Sequence, residues 1–92
     1  MSRYSVEIKE QAQKDLKALS ISEPKAYQKA LVLINELYDH PQTGTGKPEQ
    51  LKGVGGSVWS RRISKKHRLI YEIIETVIHV DILSAYGHYG DK

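Results

Sequence analysis

The sequence of 92 residues contains no cysteine. Without cysteine the chain can form neither a disulfide framework nor a thiolate zinc site, and it offers no thiol nucleophile. Small extracellular domains of this size usually depend on disulfides for stability, because their hydrophobic cores are small. The absence of cysteine therefore predicts an intracellular, cytoplasmic protein.

The sequence also lacks a long hydrophobic run. Its apolar stretches fall far short of the roughly 18 to 20 residues that are needed to span a bilayer. The N-terminal residues MSRYSVEIKE contain no apolar signal core, so we expect neither membrane insertion nor export. A chain of 92 residues has enough apolar surface for one core only, which predicts a single domain over residues 1–92.

Acidic residues are scarce in one segment of the chain. Between residues 47 and 68 Glu49 is the single acid, whereas the N-terminal half mixes acids and bases. The same segment carries seven cations: Lys47, Lys52, Arg61, Arg62, Lys65, Lys66 and Arg68. A local excess of positive charge attracts anions. The distribution of charge therefore predicts an anion-binding surface at one end of the fold.

The first half of the chain has the periodicity of one strand and two helices. Apolar and polar residues alternate at the start, which predicts a strand at Tyr4, Val6 and Ile8. Apolar residues at helical spacing predict a first helix over residues 9–19. A second helix should run to about residue 38, with Ser20 or Ser22 as its N-cap and Pro24 in its first turn. The two helices are predicted to form an antiparallel pair.

Proline and glycine are concentrated in residues 40–57, which contain two of the three prolines and five of the seven glycines. Because long loops in compact domains are often functional, we interpret this segment as a binding loop. Three strands are predicted after it, over residues 58–63, 67–74 and 76–85, with turns at residues 64–66 and near residue 75. They should form an antiparallel meander.

A three-residue turn at residues 64–66 would set Arg62 directly opposite Arg68. In this register one face of the sheet carries the core residues Trp59, Ile63, Leu69, Tyr71 and Ile73. The other face carries the two opposed arginines, an arrangement that costs stability unless an anion lies between them.

Several side chains could together cleave RNA without a metal, namely Lys47, Glu49, Lys52, Arg62, Arg68, His88 and Tyr89. Such cleavage needs a base to deprotonate a ribose 2′-OH and an acid to protonate the departing 5′-oxygen. Glu49 is the candidate base and His88 the candidate acid. Arg62 and Arg68 suit the phosphate, since a guanidinium can donate two parallel hydrogen bonds. Tyr89 could stack on a base or orient the histidine.

Each of these residues also has an ordinary interpretation. A glutamate in a polar loop is commonly a solvated acid, and paired strand arginines often bind neighbouring carboxylates. His67 and His79 are expected to be structural or exposed. The wide spacing of His67, His79 and His88, with no acidic cluster beside them, argues against a metal site. We expect no cofactor.

Three segments together resemble the YoeB/Txe family of bacterial toxin-antitoxin toxins, within the RelE-like superfamily. They are GKPEQLKG, VWSRRISKKHRLIYEI and a GHY sequence near the C-terminus. The resemblance implies an α+β, RelE-like fold in which two antiparallel N-terminal helices pack on a mostly antiparallel sheet, in the order β-α-α-β-β-β. It also implies a ribosome-dependent mRNA endonuclease that acts in the aminoacyl site and is neutralised by a cognate antitoxin. Homodimers occur in the family.

The resemblance assigns the general base to Glu49, the phosphate-stabilising arginine to Arg68, the general acid to His88 and the terminal tyrosine to Tyr89. We expect that no metal takes part. Further RNA contacts are expected from the remaining cations of the basic segment, Lys47, Lys52, Arg61, Arg62, Lys65 and Lys66.

The C-terminus departs from the family pattern. Family members often end in RYHY, whereas this chain ends in AYGHYGDK, with a glycine before His88 and three residues after Tyr89. Two other functions stay open at this point. One is a noncatalytic RNA- or ribosome-binding module, and the other is a protein-interaction subunit whose basic face binds an acidic partner.

Overall fold

The computed structural model describes residues 3–52 and 56–87. Within these ranges the chain forms two helices and five strands: β1 (Ser5–Ile8), α1 (Glu10–Ser22), α2 (Pro24–Leu37), β2 (Glu49–Gln50), β3 (Val58–Arg62), β4 (Arg68–Ile74) and β5 (His79–Ser84). A short 3-10 helix, Glu75–Val77, joins β4 to β5. The predicted α+β fold, with both helices in the N-terminal half, is confirmed.

The strands form one mixed sheet in the order β1-β5-β4-β3-β2. β1 runs parallel to β5, and the other neighbouring strands are antiparallel. The prediction omitted β2, in which Glu49 and Gln50 pair with Ser60 and Trp59. A strand of two residues is too short for a periodic pattern, and the surrounding prolines and glycines favoured a loop.

The boundary between the helices differs from the prediction. α1 continues through Ser22, and its last-turn serines are not N-caps, because Ser20 Oγ donates to Lys17 O at 2.6 Å and Ser22 Oγ donates to Ala18 O at 2.9 Å. Serine hydroxyls can bond to carbonyls three or four residues earlier and so stay inside a helix. α2 begins at Pro24, and Glu23 occupies its N-cap position without a side-chain capping bond.

The hydrophobic core lies between the two helices and one face of the sheet. From α2 it takes Ala26, Ala30, Leu33, Ile34 and Leu37. From the strands it takes the predicted residues Ile63, Leu69, Tyr71 and Ile73, with Trp59 partly buried against them. Burial of each large aliphatic side chain contributes roughly 1.5–3 kcal/mol. The predicted core face of the β3-β4 hairpin is therefore confirmed.

The hairpin register is also as predicted. Arg62 lies opposite Arg68, and Ile63 N donates to His67 O at 3.0 Å across the turn. The last strand begins later than predicted, at His79, because the 3-10 helix and a left-handed turn at Ile78 (φ 51°) precede it. Among the described residues, neither helix has the length and apolar character that crossing a membrane requires.

Candidate active site

The strand register brings Glu49 and two arginines to the same face of the sheet, opposite the helices. Glu49 lies opposite Ser60, and Arg62, two residues further along β3, lies opposite Arg68. Directly opposed residues share a face, and side chains alternate along a strand, so the three charged side chains share one side. Glu49 and Arg62 are diagonal neighbours, for which Cα atoms are about 7–8 Å apart, within reach of long side chains.

Exposure varies across this face. Glu49 and Arg62 are exposed and Arg68 is half-buried. Ser60 lies beside them with 1% exposure, and within the described part of the chain its Oγ has no hydrogen-bond partner. A buried hydroxyl without a partner costs about 1–3 kcal/mol.

The C-terminal segment reaches the start of β4 at Arg68. Arg68 N donates to Gly87 O at 2.9 Å, so Gly87 lies beside the backbone of the half-buried arginine. His88 and Tyr89, the predicted acid and terminal tyrosine, lie outside the described residues. Their roles therefore stay predictions.

The four lysines predicted to bind RNA occupy two places. Lys47 and Lys52 flank Glu49 on the β2 side, and both are exposed. Lys65 and Lys66 are exposed in the turn of the β3-β4 hairpin, which directly follows Arg62. Both pairs of lysines thus adjoin the strands that carry Glu49, Arg62 and Arg68.

Arg61 does not belong to the exposed cations, which corrects its predicted role as an RNA contact. Its side chain is 0% exposed. All five of its N–H groups donate to protein acceptors: Glu36 Oε1 (2.7 Å), Thr45 O (3.3 Å), Thr43 O (2.6 Å), His40 O and Tyr71 Oη (3.1 Å). Strand alternation could have indicated this, because Arg61 shares the core face with Trp59 and Ile63.

The anion that Arg61 binds is the Glu36 carboxylate of α2. Glu36 also accepts hydrogen bonds from Thr45 N at 2.8 Å and from Thr45 Oγ1 at 2.6 Å. Burial by itself raises the pKa of Glu36, but the hydrogen bonds from Thr45 and Arg61 outweigh it and hold the pKa below its ordinary value of 4.5. We call Arg61, Glu36, Thr45 and Tyr71 the Arg61 cluster.

The Arg61 cluster holds the segment that leads into β2. Tyr71 Oη donates to Pro41 O at 2.6 Å, and Arg62 N donates to Gly46 O at 2.7 Å. Gly46 has φ 86°, and a Cβ there would lie 3.0 Å from Arg62 O and 3.1 Å from Leu33 Cδ2. The chain is therefore fixed from several sides just before Lys47 and Glu49, and none of these contacts was predicted.

A second group of polar residues lies at the other edge of the sheet. His79 Nε2 is 2.8 Å from Asp81 Oδ1 and 3.9 Å from Glu7 Oε1, and Ser5 Oγ is 2.6 Å from His79 Nδ1. The expectation that no acidic cluster accompanies the histidines is therefore wrong for His79, because β1 brings Glu7 beside Asp81 and His79 on β5. Lys9 already pairs with Glu7 at 3.0 Å, so the group is held together by its own hydrogen bonds and ion pairs.

A groove of about 700 Å³ opens between the start of α2 and the β3-β4 hairpin. Its walls are mostly apolar and come from Glu23, Pro24, Lys25, Ala26, Lys29, Ile63 and Ser64. Glu49, Arg62 and Arg68 are not among them. The groove is therefore separate from the candidate active site.

The arrangement of two helices on a mixed sheet of five strands matches solved structures. The RelE-RelB complex from Pyrococcus horikoshii OT3 gives a TM-score of 0.75 at 22% identity, over 97% of this chain and 99% of that chain. At this identity the likeness concerns the fold, which is RelE-like. The YoeB dimer from Staphylococcus aureus gives 0.79 at 32% identity, over 96% of this chain and 100% of that chain. The YoeB-YefM complex from the same organism gives 0.74 at the same identity and coverage.

Comparison of the amino-acid sequence identifies the family more specifically than comparison of the fold does. The toxin YoeB of Mycobacterium bovis is 44% identical over 57 residues, which are 62% of this chain and 65% of that protein. The match thus spans slightly less than two thirds of this relative's length. Residues 8–89 match the family of the YoeB-like toxin of bacterial type II toxin-antitoxin systems, and this chain belongs to that family.

Proposed function

We propose that this protein is a ribosome-dependent mRNA endonuclease that inhibits translation and is neutralised by a cognate antitoxin. The observation that carries the proposal is the sheet register, which sets Glu49 on the same face as Arg62 and Arg68. Gly87, the residue before His88, is hydrogen-bonded to Arg68 on β4. Membership of the YoeB-like toxin family supports the same reaction.

In the proposed reaction, the Glu49 carboxylate removes the proton from a ribose 2′-OH. The 2′-oxygen attacks the adjacent phosphorus, and the bond from phosphorus to the 5′-oxygen breaks. His88 donates a proton to the departing 5′-oxygen, which leaves a 2′,3′-cyclic phosphate and a 5′-hydroxyl. The reaction needs no redox partner, because Glu49 takes up one proton and His88 gives up another. Tyr89 orients His88 or stacks on a base.

Negative charge accumulates on the phosphate oxygens as the 2′-oxygen attacks. Arg68 and Arg62 are proposed to stabilise it, because they are opposed across two strands and can donate to different oxygens of one phosphate. The same contact would relieve the mutual repulsion of the two guanidinium groups. The four exposed lysines, Lys47, Lys52, Lys65 and Lys66, are proposed to bind the RNA backbone on either side, whereas Arg61 has no part in RNA binding.

The partners follow from this function. The messenger RNA on the ribosome is the substrate, so the proposed place of action is the aminoacyl site in the cytoplasm. The YoeB of Staphylococcus aureus has been solved with YefM and as a dimer. By analogy we propose a YefM-like antitoxin and a homodimer as partners of this chain. We propose no cofactor.

Cleavage of a defined mRNA on purified, programmed ribosomes tests the proposal. Glu49→Gln should lower the cleavage rate by about 10²–10⁴-fold, because it removes the general base. Arg68→Ala should lower it by at least about 10²–10³-fold, because it removes transition-state stabilisation. The matched controls Glu10→Gln and Arg3→Ala change exposed residues of the same types elsewhere and should cleave at the parent rate. The parent protein should show a bell-shaped pH dependence, since an ionised base and a protonated acid must coexist.

The same assay separates the alternatives. If the parent protein and both site variants bind ribosomes but none of them cleaves the message, the protein is a noncatalytic ribosome-binding module. If the protein neither binds nor cleaves, and its expression without an antitoxin leaves growth unchanged, the basic face serves protein binding alone. Cleavage at the parent rate by both site variants would show that the proposed mechanism is wrong.

A further inference from the structure

His67, at the end of the β3-β4 turn, contacts two segments that are distant from it along the chain. The residue His67 is 3% exposed. Gly87 N donates to His67 Nδ1 at 2.8 Å, and His67 Nε2 lies 2.6 Å from Glu23 Oε2. The ring of Tyr86 packs on the imidazole, with centroids 4.5 Å apart. One side chain thus links the start of α2 to the C-terminal segment.

These contacts determine which ring nitrogen carries the proton. A backbone N–H can only donate, so Nδ1 of His67 must be unprotonated to accept from Gly87. The proton is therefore on Nε2, which donates to the Glu23 carboxylate. That hydrogen bond is the main reason that the pKa of Glu23 lies below its ordinary value of 4.5. The hydrogen bonds with Glu23 and Gly87 thus both fit the same tautomer of His67.

Both backbone groups of Gly87 are consequently held. Its N–H bonds to His67, and its carbonyl oxygen accepts from Arg68 N at 2.9 Å. Gly87 has φ 77°, and a Cβ at this position would meet nothing within 4 Å. Glycine is needed here for its left-handed backbone and not for lack of space. The backbone of the residue immediately before His88 is therefore held by two hydrogen bonds.

We propose that His67 is a positioning residue for the general acid, because its unprotonated Nδ1 holds the N–H of Gly87, the residue that precedes His88 in the chain and is hydrogen-bonded to Arg68. The inference rests on the proposed function. His67 is buried and both its nitrogens are engaged, so it acts through Gly87 and does not touch RNA. A misplacement of about 1 Å at a reacting group can cost about 10²-fold in rate.

Two near-isosteric substitutions separate the two hydrogen bonds of the ring. In His67→Asn the side-chain oxygen takes the place of Nδ1 and keeps an acceptor for Gly87, but the contact with Glu23 is lost. In His67→Gln the side-chain amide nitrogen takes the place of Nε2 and keeps the donor to Glu23, but the acceptor for Gly87 is lost. Glu23→Ala is the matched control that removes the partner on α2 alone.

Single-turnover cleavage of mRNA on programmed ribosomes, together with thermal unfolding of each variant, tests the inference. His67→Gln should lose about 10- to 100-fold in the rate of the chemical step, with ribosome affinity unchanged, because the acid is misplaced but the arginines remain. His67→Asn and Glu23→Ala should stay within about threefold of the parent rate, even where they lower the melting temperature. Long-range ¹H–¹⁵N spectra should show an unprotonated Nδ1 in the parent protein.

Three results would overturn the inference. One is an equal loss of rate in His67→Asn and His67→Gln at equal thermal stability, which would mean that the acceptor is irrelevant. Another is a protonated Nδ1 in the parent protein under assay conditions. The third is normal cleavage by His67→Gln while the parent protein also cleaves, which would overturn this inference and leave the proposed function intact. If the parent protein fails to cleave, the proposed function falls and the inference falls with it.

Discussion

Replacement of Arg61 by methionine should destabilise the protein by about 3–5 kcal/mol, the usual cost of removing one partner of a buried ion pair. The Arg61 side chain is 0% exposed and the Glu36 side chain 24% exposed, with 2.7 Å between their charged atoms. The substitution leaves the Glu36 carboxylate without its cation and takes the donor from the carbonyl groups of His40, Thr43 and Thr45.

This loss is large compared with the stability of so small a domain. At roughly 0.05–0.15 kcal/mol per residue, a chain of 92 residues is stable by about 5–14 kcal/mol. A loss of 3–5 kcal/mol should lower the melting temperature by at least about 12 °C, since 1 kcal/mol corresponds to about 4–8 °C in a domain of this size. The free energy of unfolding is to be measured by urea denaturation monitored through Trp59.

A double-mutant cycle isolates the pair itself. Glu36→Gln should also destabilise the protein, and the double variant should cost about 1–3 kcal/mol less than the sum of the single variants, because the two residues are in direct contact. Arg62→Met is the matched control, since this neighbour on β3 is exposed, and it should change the free energy of unfolding by at most about 0.5 kcal/mol. Equal effects of Arg61→Met and Arg62→Met, or a coupling free energy near zero, would refute the reasoning.

Two further predictions concern acid stability and a glycine. Glu36 has a pKa below its ordinary value of 4.5, so its contribution to stability is present above that pH and is lost as the pH falls through its lower, folded-state pKa. Glu36→Gln should therefore flatten the acid side of the pH–stability profile, and an unchanged slope in urea titrations below pH about 5 would contradict this. Gly46→Ala should cost about 1–3 kcal/mol more than Gly87→Ala, because both glycines have positive φ but a Cβ meets close neighbours only at Gly46. Equal unfolding midpoints would contradict this explanation.

Much of the fold was predictable because it depends on local periodicity. The helices and the β3-β4 hairpin follow from apolar residues at spacings of three and four or of two. The three-residue turn then determines the register that places Arg62 opposite Arg68. β2 escaped prediction because a strand of two residues has no period of its own. The serines before α2 were misinterpreted because their hydroxyls had acceptors within α1.

The placement of the candidate-site residues was likewise predicted correctly for some and wrongly for others. Glu49, Arg62 and Arg68 were predicted as one group, and their common face follows from pairing and alternation. Arg61 was wrongly predicted to bind RNA, although the alternation of side chains along β3 places it on the core face. A buried cation there becomes understandable only when its anionic partner is known. That partner, Glu36, lies 25 residues away along the chain.

The sequence by itself thus determined the family, the two helices, the hairpin register and the residue types needed at the site. Only the tertiary structure decided that Arg61 is buried against Glu36 and that His67 connects Glu23 to Gly87. The physical reason is the range of the interactions. Periodicity expresses the geometry of neighbouring residues, whereas the partner of a buried polar group depends on how distant helices and strands pack together.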